Sequence, residues 1–97
     1  MRTDAILEVG LHPNGVLYIT PATARFPHAY REAMEVDWDA SRHRLFGGRA
    51  HMAKPRFWFR QILCLAREQG VQLELTAATR WREIDDALKA EMLAPDA

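Results

Sequence analysis

Residues 5–20 read Ala-Ile-Leu-Glu-Val-Gly-Leu-His-Pro-Asn-Gly-Val-Leu-Tyr-Ile-Thr, two apolar-rich runs split by Pro-Asn-Gly. This pattern constrains the chain more than any other, because it specifies a β-hairpin and its register. Pro13 presets φ for the second position of a type I turn, Asn14 suits the third, and Gly15 supplies a positive φ at the fourth. The outcome is a three-residue loop closed by a G1 bulge. That loop pairs His12 with Val16, Leu11 with Leu17 and Val9 with Ile19. It gathers the apolar pairs, with Leu7, on one face and puts Glu8, Gly10 and Tyr18 on the other. A two-residue Asn-Gly loop would oppose Leu11 to Tyr18 and Val9 to Thr20, sending half the side chains to the wrong face.

The remaining chain alternates connectors and periodic segments. Pro21 to Pro27 is a connector, and Pro27 to Met34 reads as one or two helical turns. Glu35-Val36-Asp37-Trp38-Asp39 alternates polar and apolar, the mark of a half-buried strand. Ala40 to His43 turn the chain, and Arg44-Leu45-Phe46 return, ending at Gly47-Gly48. Pairing Asp39 with Arg44 places Trp38 beside Leu45 inside, with an ion pair outside. After a loop to Lys54, the segment Pro55 to Gln69 carries Trp58, Phe59, Ile62, Leu63, Leu65 and Ala66 on one helical stripe. Gly70 stops that helix. Val71 to Leu75 alternates as a strand, and Thr79 to Leu93 reads as a final helix with Trp81, Ile84, Leu88 and Met92 in line. Residues 1–97 are expected to form a single α+β domain. Its sheet is mostly antiparallel, of about five strands, with two main helices packed on one face.

Charge is neutral in total but segregated. Residues 1–40 sum to −3, residues 41–70 to +6 and residues 71–97 to −3. A basic middle between acidic ends can pair internally, with another copy, or with an anionic partner. The single cysteine rules out an intrachain disulfide and fits a reducing compartment. The start lacks an apolar leader core and no stretch reaches the length of a membrane span, so a cytoplasmic protein with no membrane association is expected.

No catalytic motif stands out. Glu35, Asp37 and Asp39 share one strand face but sit about 7 Å apart, too far for one small cation. His12, His28, His43 and His51 are scattered, so no metal site and no cofactor are expected. Cys64, between Leu63 and Leu65, reads as a small filler of the apolar stripe. The run from His51 to Arg60 mixes bases with aromatics. Trp58 and Phe59 belong to the stripe, which leaves Arg56, Phe57 and Arg60 for contacts with a protein or peptide partner. A nucleic-acid reading would use Arg42, Arg44, Arg49, Lys54 and Arg56, though a neutral total makes it less favoured. A small-molecule or enzyme reading would use Tyr18, Tyr30 or His51 in a pocket between sheet and helices.

The run from Phe26 to Asp39, Phe-Pro-His-Ala-Tyr-Arg-Glu-Ala-Met-Glu-Val-Asp-Trp-Asp, resembles a segment of small α+β proteins encoded by bacterial integron gene cassettes. Trp81 and the Gly70-x-x-Leu73 turn into a strand are also similar. The resemblance implies mobile-element cargo of bacterial origin, often oligomeric and without an assigned activity. Together these features favour a non-enzymatic interaction module, self-associating and binding a protein or peptide partner.

Overall fold

Each strand of this protein is placed by what it pairs with, and the pairing centres on the first. The computed structural model describes residues 1–27, 36–47 and 55–94. Its elements are β1 (Arg2–Leu11), β2 (Leu17–Pro21), β3 (Val36–Asp39), β4 (Arg44–Gly47), α1 (Pro55–Glu68), β5 (Val71–Glu74), β6 (Arg80–Arg82) and α2 (Asp86–Leu93). They build a six-stranded α+β sheet in the order β3-β4-β2-β1-β5, with β6 also paired to β1. The hairpin pairings β1–β2 and β3–β4, and β2–β4, are antiparallel. Both β5 and β6 run parallel to β1, so the sheet is mixed rather than purely antiparallel.

The first hairpin has the register its turn demands. Val9 faces Ile19 and Leu11 faces Leu17. The His12 N–H donates to the Val16 carbonyl at 2.9 Å, and the Gly15 N–H to the His12 carbonyl at 2.8 Å. Gly15 takes φ of 86°, and Asn14 Oδ1 accepts the Val16 N–H at 3.1 Å. One detail differs. A bulge between Ile6 and Glu8 lets Ile6 take the core position that alternation assigned to Leu7. Leu7 is 44% exposed. Pro21 lies opposite Ile6 and has no N–H to donate, so the ladder is interrupted where the bulge forms.

The second hairpin pairs Trp38 with Leu45 and Asp39 with Arg44 as expected, but the expected ion pair between the latter two is replaced. Asp39 Oδ1 accepts from the Ser41 hydroxyl at 2.7 Å and from the N–H groups of Ser41 and Arg42, which fixes the turn. The Arg44 guanidinium lies over the Tyr18 ring instead, 3.9 Å from its centroid.

The last helix is shorter than its periodicity suggests. Arg80–Arg82 is a strand, with Trp81 opposite Val9. Glu83 then turns at φ of 59°. Asp85 caps α2 by accepting the Leu88 N–H at 2.8 Å. Trp81, Ile84, Leu88 and Met92 all pack on the core, but a strand and a helix share the line. The helical turns read for Pro27 to Met34 and the loop to Lys54 fall, beyond Pro27 and Gly47, outside the described residues.

The core joins Val9, Leu17, Ile19 and Leu45 from the sheet to Trp58, Phe59, Ile62, Leu65 and Ala66 from α1. The stripe read on α1 is therefore its buried face. Gly47 is required beneath it, because a Cβ there would stand 2.8 Å from Trp58 Cε3. Helix α1 lies against β2, β3, β4 and β5, and α2 lies against α1.

Two polar contacts hold β1 in place. The buried Asp4 carboxylate accepts the N–H of Thr23 at 3.0 Å, the N–H of Ala24 at 2.8 Å and the Thr23 hydroxyl at 3.0 Å, which ties down the connector after β2. Burial works against its ionisation, but the Ala24 and Thr23 hydrogen bonds, helped by Arg2, outweigh it and lower its pKa below 3.8. The second contact closes a gap. β5 pairs with β1 through Ala5 and β6 pairs from Glu8, leaving the Ile6 carbonyl between them. Continued parallel pairing would aim the Thr76 N–H at that carbonyl. Instead the Thr76 N–H donates to Thr79 Oγ1 at 2.9 Å, and that hydroxyl donates to the Ile6 carbonyl at 2.7 Å. A hydroxyl thus stands in for one direct ladder bond.

Two outcomes are expected in denaturant titrations. Thr79→Val leaves a buried carbonyl and N–H unpaired and should cost about 1–3 kcal/mol, with Thr79→Ser close to the parent. Asp4, with its lowered folded pKa, stabilises above its unfolded value and loses that contribution as pH falls through the folded one. The parent should therefore lose stability in that acid range, and Asp4→Asn should show a shallower loss.

Candidate functional site

Helix α1 has an inner stripe and a flank. Arg60, Cys64 and Arg67 stand at i, i+4 and i+7, so they share one side of the helix, next to Leu63. Because α1 packs on β5, that flank runs beside the strand. A groove of about 440 Å³ lies between them, lined by Arg60, Leu63, Cys64, Arg67, Gln72 and Leu73.

Among the described residues β5 is the last strand on its side of the sheet. The Arg2 N–H donates to the Gly70 carbonyl at 3.0 Å. In a parallel ladder this phase turns the main-chain groups of Gln72 and Glu74 toward β1 and those of Val71 and Leu73 outward. Among the described residues no strand pairs with that outward edge. The groove therefore combines strand N–H and C=O groups that no described strand pairs with, an apolar floor at Leu63 and Leu73, and the basic residues Arg60 and Arg67 in its lining.

The residues singled out for a partner separate into two roles. Arg56 and Arg60 each donate an Nη2 hydrogen bond to the Ala94 carbonyl at 3.2 Å. Their charges sit at the C-terminal end of α2, where a helix dipole favours cations. Arg60 also reaches the groove; Arg56 is not among its lining residues. Phe57 is 48% exposed, with its ring against the Trp58 ring at 5.2 Å. Arg67 completes the basic lining and was missed in the sequence. Its signal was the i+7 spacing from Arg60, which has meaning only once β5 is known to be an edge. Cys64 is exposed rather than a core filler, because the buried stripe passes through Ile62, Leu65 and Ala66 on either side of it.

The described members of the nucleic-acid set do not converge. Arg42 and Arg44 belong to the β3–β4 hairpin, with Arg44 on the sheet face away from α1, whereas Arg56 is bound to the end of α2. Arg49 and Lys54 lie outside the described residues, as do Glu35, His28, Tyr30 and His51. Tyr18 is on the far sheet face, not between sheet and helices: its hydroxyl donates to Glu8 at 2.9 Å. Among the described residues no group of three His, Cys, Asp or Glu side chains is placed to hold a metal ion. No described helix is long and apolar enough to cross a membrane.

Comparison with known proteins points one way. The family model of the integron cassette protein Hfx_Cass5 matches residues 4–79. A solved structure of integron cassette protein Hfx_Cass5, from the mobile metagenome of the North West Arm sewage outfall, is 35% identical. That alignment covers 95% of this chain and 93% of the other, with a TM-score of 0.49. No curated protein matches the chain.

Two measurements check the placement of the flank. The exposed Cys64 thiol should react to completion with a thiol-specific reagent in the native protein, at a rate close to that in denaturant. Replacing Arg56 and Arg60 together by Ala should loosen α2 and cost about 1–2 kcal/mol, read as faster amide exchange across residues 86–94.

Proposed function

The chain belongs to the Hfx_Cass5 family of integron cassette proteins, and from that premise we propose that it is a non-enzymatic interaction module that takes up an extended acidic segment of a partner protein along the edge of β5. One observation supports this reading above the others: the outward edge of β5 is flanked by a groove carrying Arg60 and Arg67. An added strand gains affinity from main-chain hydrogen bonds and specificity from alternate side chains. Here one set of alternate side chains meets Leu63, Cys64 and Leu73, and carboxylates along the segment meet the guanidinium groups. In this reading α1 and α2 form one layer on a single sheet face. The lone cysteine suits a reducing compartment such as the cytoplasm.

A second copy is one source of such a segment, favoured by the charge of the opposite edge. Among the described residues β3 is the last strand on the other side, and it carries Asp37 and Asp39. Pairing between a basic edge and an acidic edge makes a heterologous contact that grows into rings or longer assemblies.

Light scattering and peptide binding test both readings. The parent should exceed monomer mass at low salt and fall toward monomer at high salt. A labelled eight-residue peptide of alternating Val and Glu should bind the parent, and Arg67→Glu should weaken it about tenfold or more with the circular dichroism unchanged. Equal binding by the parent and Arg67→Glu would refute the groove. A monomer at both salt concentrations would refute self-association and leave the peptide reading to be decided by the titration.

A further inference from the structure

The sheet face away from α1 holds a second group of charged and aromatic side chains. Tyr18 lies across Gly10, whose Cβ, if present, would overlap the Tyr18 ring. The Tyr18 hydroxyl donates to Glu8 Oε2 at 2.9 Å, and Glu8 Oε1 stands 3.5 Å from Arg80 Nε, so this carboxylate is engaged on both oxygens. The Arg44 guanidinium is stacked on the Tyr18 ring, and its buried Nε has no hydrogen-bond partner. Arg82 stands opposite Gly10 on β6, and its charge acts on the Tyr18 hydroxyl. Among the described residues neither Arg44 nor Arg82 forms an ion pair with a carboxylate. Among the described residues this face therefore carries two guanidinium groups with no carboxylate at ion-pair distance, Asp39 being the acid opposite Arg44 in register.

Beside them is a cavity of about 500 Å³ between the β1–β2 turn and the end of β6, lined by Leu11, His12, Pro13, Gly15, Arg82 and Glu83. Its size is that of a small-molecule site. The His12 ring lies 4.8 Å from the Tyr18 ring. Glu83 is held at φ of 59°, a left-handed conformation uncommon for a non-glycine residue.

We propose that this cavity binds a small organic anion, with its phosphate or carboxylate held by Arg82 in the field of Arg44 and its apolar body against Leu11 and Pro13. Glu83 is exposed at the rim and is the one acid among the described lining residues, so it opposes the ligand charge and lowers affinity. The site is separate from the α1–β5 groove and shares no residue with it.

His12 reports on the cavity. Burial lowers its pKa below 6.5, Arg44 and Arg42 lower it further, and Asp39 partly offsets them. The ring also faces Tyr18, with Arg82 and Glu83 across the cavity. An anion in the cavity favours the protonated ring and raises its pKa.

The experiment is an NMR titration of the His12 imidazole against pH, with the resonance assigned through His12→Asn. Inorganic phosphate, phenyl phosphate and benzoate are compared with chloride at equal ionic strength. Phenyl phosphate or benzoate should raise the His12 pKa where chloride does not, and their ratio distinguishes phosphate from carboxylate preference. Arg82→Ala should weaken the effect about tenfold, and Glu83→Gln should strengthen it. No selective rise with either organic probe would overturn the proposal, as would equal affinity in Arg82→Ala. If Arg82→Ala fails to fold, Glu83→Gln decides: unchanged or weaker affinity sinks it. Arg67→Glu should leave the titration unaltered, so failure here is distinct from failure of the groove.

Discussion

β1 is the strand on which β2, β5 and β6 all pair, and the sheet depends on how its two sides are shared among them. β2 covers one side as a hairpin partner. The other side is divided, with β5 on the first part and β6 on the second. Two parallel strands meeting end to end on one partner leave a carbonyl between them, and a buried carbonyl without a donor costs as much as a lost hydrogen bond. Thr79 removes that cost by placing its hydroxyl between the Thr76 N–H and the Ile6 carbonyl. The bulge at Leu7 falls at the same level on the β2 side. Both edges of β1 therefore change partner or phase at one point, and β5 is held at the margin of the sheet.

That placement gives the groove its character. An edge strand presents main-chain groups that seek a partner, and natural sheets usually blunt such edges. Here α1 stands beside the edge and supplies arginines. The basic middle of the sequence, +6 over residues 41–70, thus divides in space. Arg56 and Arg60 hold the end of α2, Arg60 and Arg67 flank β5, Arg44 goes to the far side of the sheet, and Arg42 stays in the β3–β4 turn beside Asp39. Among the described residues the segregation seen along the chain does not produce one patch, because a helix and a hairpin project in different directions.

The far sheet face is unusual in burying Tyr18, which is 2% exposed. A ring there needs a floor and a cover. Gly10 is the floor, since any side chain would occupy the space of the ring. Arg44 is the cover, with the guanidinium plane serving as both apolar surface and cation. Burial and the Glu8 hydrogen bond raise the Tyr18 pKa, with Glu8 charge adding and Arg44 opposing. The phenol therefore remains a donor to Glu8 across the neutral range.

Local chemistry was legible in the sequence. Pro13-Asn14-Gly15 determined the first hairpin and its register, because turn type and register are coupled within a few residues. The α1 stripe, its glycine stop and the 39–44 pairing were determined the same way, as was the α+β class. Only tertiary structure decided that Ile6 replaces Leu7 inside, that Arg80–Arg82 is a strand, that Cys64 faces solvent, and that β5 is a parallel edge. Each of these depends on what the element packs against: β6 exists because β1 offers an unpaired second half, and Cys64 is exposed because the packed stripe of α1 runs through Ile62, Leu65 and Ala66 and leaves it on the flank. Periodicity records which side of an element is apolar, but a strand as short as β6 is defined by the backbone it meets, and that information is not local.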